Sequence, residues 1–138
     1  MISAYLANAL LDHILKNTAY TSPAVVYIGL SKKPLVFQTA TPGDEVSGGA
    51  YARQAFAVDA AENGIDWNNA KITFPNATAD WSTAAAPITH GFVADASSAG
   101  NWLFSWKLEC PLVVSNGDPG PVVNQRGVHI GLRGQYNS

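Results

Sequence analysis

The side chains able to do chemistry are few and scattered. Three histidines, His13, His90 and His129, stand far apart in the chain. None belongs to an HExxH arrangement, and none has a Cys or His neighbour at metal-ligand spacing. Surface or internally satisfied histidines are therefore expected. The single cysteine, Cys110, could in principle pair with a histidine as a nucleophile. It alternates in phase with Trp106 and Leu108, however, which predicts a small buried hydrophobe. No GxSxG elbow, P-loop or GxGxxG occurs. Gly48-Gly49 has no following helix and no phosphate-binding lysine, so it reads as a backbone bend before Tyr51. The closest carboxylate groupings are Asp44-Glu45 and Glu62 with Asp66, among Asn63, Asn68 and Asn69. Such oxygen-rich loops suit calcium, but EF-hand spacing is absent, which leaves solvated turns. Asn76-Ala77-Thr78 matches the glycosylation pattern by chance, since no secretory signal is visible. The sequence thus assigns no catalytic, cofactor-binding or metal-ligating residue and implies no cofactor.

Trp67, Trp81, Trp102 and Trp106 are the remaining candidates, as a sugar-stacking face or as core. Trp102, Phe104, Trp106, Leu108 and Cys110 alternate with Leu103, Ser105, Lys107 and Glu109. This pattern predicts a half-buried strand with an aromatic inner face, which favours core or subunit interface.

The elements that must position these residues follow from periodicity. A helix is expected over residues 4–16, capped by Ser3, with Leu6, Leu10 and Ile14 on one stripe beside Leu11 and Leu15. Asn8, Asp12 and Lys16 lie opposite, so the helix is amphipathic and must bury its leucines. Strands are expected at 24–31, 50–58, 67–74, 87–94, 101–110, 112–114 and 122–133. The first is apolar on both faces, as a central strand is. Arg53 and Gln54 are the polar members of the second. In the last, Val128, Ile130 and Leu132 point inward, with His129 and Arg133 outward. Residues 32–49 form a long loop with Pro34, Pro42 and Gly43. Asn63-Gly64 is a tight turn. Pro75 and Pro111 end strands, and the tail 134–138 is polar and expected to be mobile. Short strands with turns between them predict a mostly β protein, a jelly-roll-like β-sandwich with one N-terminal helix. Residues 1–138 form a single domain.

Composition narrows the partners. Hydrophobic residues make up 47% and charged residues 13% of the chain, against about 25% charged in an average soluble protein. Part of the surface is therefore expected to be covered by other proteins or other copies. A net charge of −2, with dispersed lysines and arginines, gives no attraction to nucleic acid or to a membrane surface. No segment is apolar enough to span a bilayer. One cysteine allows no internal disulfide.

Several blocks carry a resemblance. They are Ser3-Ala4-Tyr5-Leu6-Ala7-Asn8-Ala9-Leu10-Leu11-Asp12-His13 with Thr18-Ala19-Tyr20, then Glu45-Val46-Ser47-Gly48-Gly49-Ala50-Tyr51-Ala52-Arg53-Gln54. Ile72-Thr73-Phe74-Pro75-Asn76-Ala77-Thr78-Ala79-Asp80-Trp81 follows, then Ile88-Thr89-His90-Gly91 and Gly100-Asn101-Trp102-Leu103-Phe104. In this order, over about the first 110 residues, the chain resembles a family of small tailed-bacteriophage virion proteins, often labelled tail-fibre proteins. It is also similar to jelly-roll capsid cement, or decoration, proteins. The segment 111–138, with Gln125-Arg126-Gly127, departs from that pattern. The resemblance implies no catalytic residues and a protein that is not an enzyme.

The expected role is that of a virion structural protein. The first reading is a capsid cement protein on the outside of the head shell. Its expected partners are the major capsid protein and copies of itself, with a trimer favoured because shells offer threefold positions. The other reading is a tail-fibre or baseplate component that binds host-surface sugars.

Overall fold

The computed structural model describes residues 1–132; the expected outward Arg133 and the tail 134–138 lie outside these residues. The chain opens with helix α1 (Ala4–Leu15). Strands β1 (Tyr27–Ser31), β2 (Gln54–Ala55), β3 (Ile65–Trp67), β4 (Ile72–Thr73), β5 (Ile88–Ala94), β6 (Trp102–Leu112), β7 (Val122–Val123) and β8 (His129–Gly131) follow. They build a four-stranded antiparallel sheet in the order β2-β1-β5-β6 and two ribbons, β3-β8 and β4-β7. The fold is the mostly β sandwich with one N-terminal helix that the sequence predicts.

The main core contains Ile28, Leu30, Phe56, Phe74, Trp81 and Val93. On the other face of the four-stranded sheet a smaller cluster forms from Leu35, Phe92, Ala94 and Trp102. As its apolar run predicts, β1 is central, between β2 and β5. Two aromatic rings cover its glycine-containing pairs. The Phe92 ring occupies the place of a Cβ at its cross-strand partner Gly29, 2.3 Å away, and the Trp106 indole does the same at Gly91, 2.6 Å away. A side chain at either position would collide with a ring, so glycine there is a packing requirement.

The aromatic alternation of β6 does not survive intact. Val93 pairs with Phe104, but Ala94 pairs with Trp102, so Leu103 is an extra residue in the ladder. This β-bulge turns Trp102 to the Phe92 side and leaves Leu103 and Phe104 against the main core. Periodicity alone places Trp102 on the wrong face. Cys110, expected inside, is exposed; it lies in the stretch between Lys107 and Leu112 where the pairing with β5 is irregular. Pro111 does not end the strand either. It lies where the β5 partner is a second irregularity, between Ile88 and His90, and an edge strand tolerates the missing N–H. Hence β6 is one strand to Leu112, and no separate strand covers 112–114.

The expected strands 67–74 and 122–133 are each broken in two, and one residue explains both breaks. Asn68 is fully buried. Its amide donates to the carbonyls of Ala70 and Asn124 at 2.9 and 2.8 Å, and its Oδ1 accepts from Val128 N–H at 3.0 Å. Its carbonyl accepts from Arg126 N–H at 2.9 Å. Side-chain bonds thus replace the ladder between β3 and β4 and between β7 and β8. The expected strand 50–58 shortens to two residues, because the Gly48-Gly49 bend and the turn at Tyr51 take its first part. Gly48 and Gly49 have φ of 74° and 56°, and Trp81 Nε1 donates to Gly49 O at 2.7 Å. Asn63 and Gly64 both have positive φ and close the predicted turn, with Glu62 and Ile65 exchanging backbone bonds.

Helix α1 forms as read, but its stripe is mostly not buried. Ser3 Oγ accepts from Leu6 N–H at 3.2 Å. Leu6 is buried and Leu10 packs on the core. Leu11, Ile14 and Leu15 are 56%, 72% and 79% exposed. The helix docks through its first two turns only.

The buried charge of the fold is Arg53. Its side chain is 2% exposed and makes two bonds of 2.7 Å to Glu45, from Nε to Oε1 and from Nη2 to Oε2. Nη1 donates to the carbonyls of Ala96 and Ala99 at 2.7 and 2.9 Å, and the guanidinium lies 5.2 Å from the Phe92 ring centroid. Removing Arg53 leaves the Glu45 carboxylate, itself only 21% exposed, without its partner. Arg53→Ala should lower stability by about 3 kcal/mol, read from the denaturant midpoint at unchanged slope. Arg53→Lys, which cannot form the fork, should recover only part of it.

Candidate functional site

The residues with chemical potential are not brought together. His13 is exposed on α1, where its Nδ1 accepts from Tyr20 N–H at 3.3 Å. His90 is half-buried on β5, with Nδ1 2.8 Å from Thr89 Oγ1. His129 is exposed on β8, opposite Trp67. Among the described residues no group of three His, Cys, Asp or Glu side chains could hold a metal ion. Asp44 is tied to Lys33 at the surface, at 3.4 Å.

Glu45, read as a loop carboxylate, is instead the partner of Arg53 and also accepts from the Tyr51 hydroxyl at 2.9 Å. That hydroxyl in turn accepts from Leu30 N–H at 2.9 Å. Burial, and then the Glu45 charge, push the Tyr51 phenol far above its ordinary range. Burial opposes the charge on Arg53, but the Glu45 bonds outweigh it and hold the guanidinium pKa above its usual value. Every polar atom here has a bond to make within the fold. Sequence reasoning missed the network. Its signal was the one charged residue of a mostly apolar strand, with a glutamate eight residues before it.

Two of the four indoles are structural. Trp81 and Trp102 are buried, and their Nε1 groups donate to Gly49 O and Thr39 O, each at 2.7 Å. Trp67 is half-buried beside a polar cleft of about 80 Å3 that Asp59, Glu62, Asn69, Gln125 and Arg126 help to line. The guanidinium of Arg126 lies 4.8 Å from the Trp67 ring centroid, so that face is already stacked and is not a bare sugar platform. Trp106 is half-buried along a groove of about 630 Å3 between the far half of β6 and the segment around β7 and β8.

The free surface is notably apolar. A pocket of about 300 Å3 opens between the four-stranded sheet and the β3-β8 ribbon, lined by Val26, Phe56, Ile65, Phe104 and Leu132. Val36 and Phe37 are exposed, and Phe37 O accepts from Ala4 N–H at 2.9 Å, which sets them beside the start of α1. Leu11, Ile14 and Leu15, on the last turns of α1, add exposed aliphatic surface of the kind suited to protein contact.

A sandwich that leaves large aliphatic side chains at its surface is suited to contact with other proteins. The family model of the podophage GP4 fiber I protein gp80 matches residues 1–127. The chain belongs to this family and is a structural protein of tailed-phage particles. The match runs past residue 110 and takes in residues 111–127, including Gln125-Arg126-Gly127, while 128–138 lie beyond it. No curated protein matches the chain.

His90 supplies a pH prediction. Burial first, and the cross-strand Lys107 second, hold its pKa below the ordinary histidine value. The unfolded chain therefore takes up this proton at higher pH than the folded one. The group's contribution is whole above about pH 6.5 and is lost as pH falls through the ordinary value towards the folded one. Melting temperature should drop between about pH 7.5 and about pH 5.5, and the drop should be smaller in His90→Gln.

Proposed function

We propose that this chain is a non-enzymatic building block of the phage particle and, following the name of its family, a component of a tail fibre. The exposed end of α1 carries the reading: three large aliphatic side chains in one helical turn and a half face water. Aliphatic side chains grouped in this way mark a contact surface. The buried charges support the non-enzymatic part, since Arg53, Glu45 and Tyr51 are spent on internal bonds. The fibre placement includes contact with the host surface, and sugar binding at Trp67 would have to displace Arg126.

A second placement, as a cement protein on the head shell, is favoured by the sparse charge and the absence of repeats along the chain. Binding only the assembled shell, it would stabilise that shell by mass action. Its partners would be the major capsid protein and further copies of itself.

Copy number separates the two. Quantitative mass spectrometry of purified particles should give tens of copies for a fibre part and hundreds for a cement protein, and labelling in cryo-electron micrographs should mark the tail or the head accordingly. The contact surface has its own check. Ile14→Ser with Leu15→Ser should leave the isolated chain within about 0.5 kcal/mol of wild type, yet reduce its incorporation into particles severalfold. Normal incorporation would rule out α1 as the attachment.

A further inference from the structure

Two Asn-Gly steps occur in the sequence, Asn63-Gly64 and Asn116-Gly117, and the fold treats them differently. All four residues are exposed. Asn63 and Gly64, with φ of 53° and 74°, are the central residues of the turn that leads into β3. Glu62 and Ile65 close this turn with backbone bonds of 2.9 and 3.0 Å, and Gly64 O accepts from Leu132 N–H at 2.8 Å. The Gly64 N–H itself has no backbone partner among the described residues. At the second step the corresponding nitrogen is engaged. Gly117 N–H donates to Ala77 O at 2.8 Å, and Asn116 N–H donates to Asp80 Oδ1 at 2.8 Å.

We propose that Asn63 is a modification site, where the folded chain converts its own asparagine to isoaspartate and aspartate. The reaction needs only water. The Gly64 backbone nitrogen gives its proton to solvent and attacks Cγ of Asn63. The N–Cγ bond forms, the Cγ–Nδ2 bond breaks, and ammonia leaves. One water then opens the resulting succinimide ring. Cleavage of the new N–Cγ bond gives aspartate. Cleavage of the original bond from Gly64 nitrogen to the Asn63 backbone carbonyl carbon gives isoaspartate, with the chain now running through Cβ and Cγ. Glycine in the second place favours the attack, because no Cβ crowds the nitrogen. At Asn116 the same nitrogen must first give up its bond to Ala77, which slows the step.

The position gives the change an effect. Either product adds a carboxylate beside Glu62, which with Asp59 and Asp66 lines the polar cleft at Trp67. Isoaspartate also lengthens the backbone of a two-residue turn by one atom. The paired bonds of Glu62 and Ile65 and the bond to Leu132 then no longer fit together. The end of the β3-β8 ribbon, where Gly64, Ile65 and Leu132 line the apolar pocket, is therefore loosened irreversibly with age, wherever in the particle the chain sits.

Peptide mapping of the full chain after incubation in mildly alkaline buffer is the test, with isoaspartate read by methyltransferase labelling. In the folded chain the product should build up at Asn63, and at Asn116 about tenfold or more slowly. In urea the two sites should react at similar rates, since only the shared Asn-Gly step remains. Asn63→Gly, which such a turn accepts, should remove the signal from that peptide, with circular dichroism confirming the fold. Hydrogen exchange at the Leu132 amide should quicken in the modified fraction. The proposal would be overturned if Asn116 reacted as fast as Asn63 in the folded chain. It would equally fail if Asn63 stayed intact when folded while both sites reacted in urea. Unchanged exchange at Leu132 in the modified chain would refute the loosening of the ribbon.

Discussion

One buried guanidinium sets the terms for much of this molecule. Arg53 reaches three separate parts of the chain: Glu45 in the long loop, the carbonyls of Ala96 and Ala99 in the turn between β5 and β6, and the ring of Phe92. A charge in that setting is tolerated only with its hydrogen bonds filled. The loop must therefore return to β1, where Val46 N–H donates to Leu30 O at 3.0 Å. The turn must present two carbonyls inward. A region with little regular secondary structure is held in place by the cost of leaving one cation unsatisfied.

The opposite layer uses the same logic without charge. Asn68 takes the place of ladder bonds where two extended segments part and rejoin, so two short ribbons act as one layer over the core. Short strands of two and three residues are weak alone. They hold because Trp81, Phe74 and Tyr51 pack behind them. Tyr51 stacks 6.2 Å from Phe74 and meets Trp81 edge-on at 5.4 Å.

What could be read from the sequence was what depends on neighbours in sequence. The Ser3 cap, the Asn63-Gly64 turn, the central placement of β1 and the mostly β character are local signals, and they reappear in the structure. What could not be read depends on residues far apart. The bulge at Leu103 reverses Trp102, and nothing within the 102–110 alternation announces it. Asn68 looked like a loop residue because its partners, Asn124 and Val128, lie far along the chain. The exposure of Leu11, Ile14 and Leu15 escaped for a different reason. An amphipathic pattern says that a face is apolar but not whether its own chain covers it. The Arg53–Glu45–Tyr51 network was not legible, because Glu45 and Arg53 lie in what reads as a loop and a strand and meet only in the fold.

The seating of the first three residues has a consequence for how the chain comes to be folded. Met1 and Ser3 bond to β6, and the span from Met1 to Ser105 is 104 residues. During synthesis α1 emerges early, but the strand it docks on does not exist until most of the chain has been made. Its leucines must wait in solvent through that interval, and contacts of such long range close slowly. Folding of this chain is thus governed by its final third, and the nascent helix is the part most in need of shelter from other hydrophobic surfaces until then.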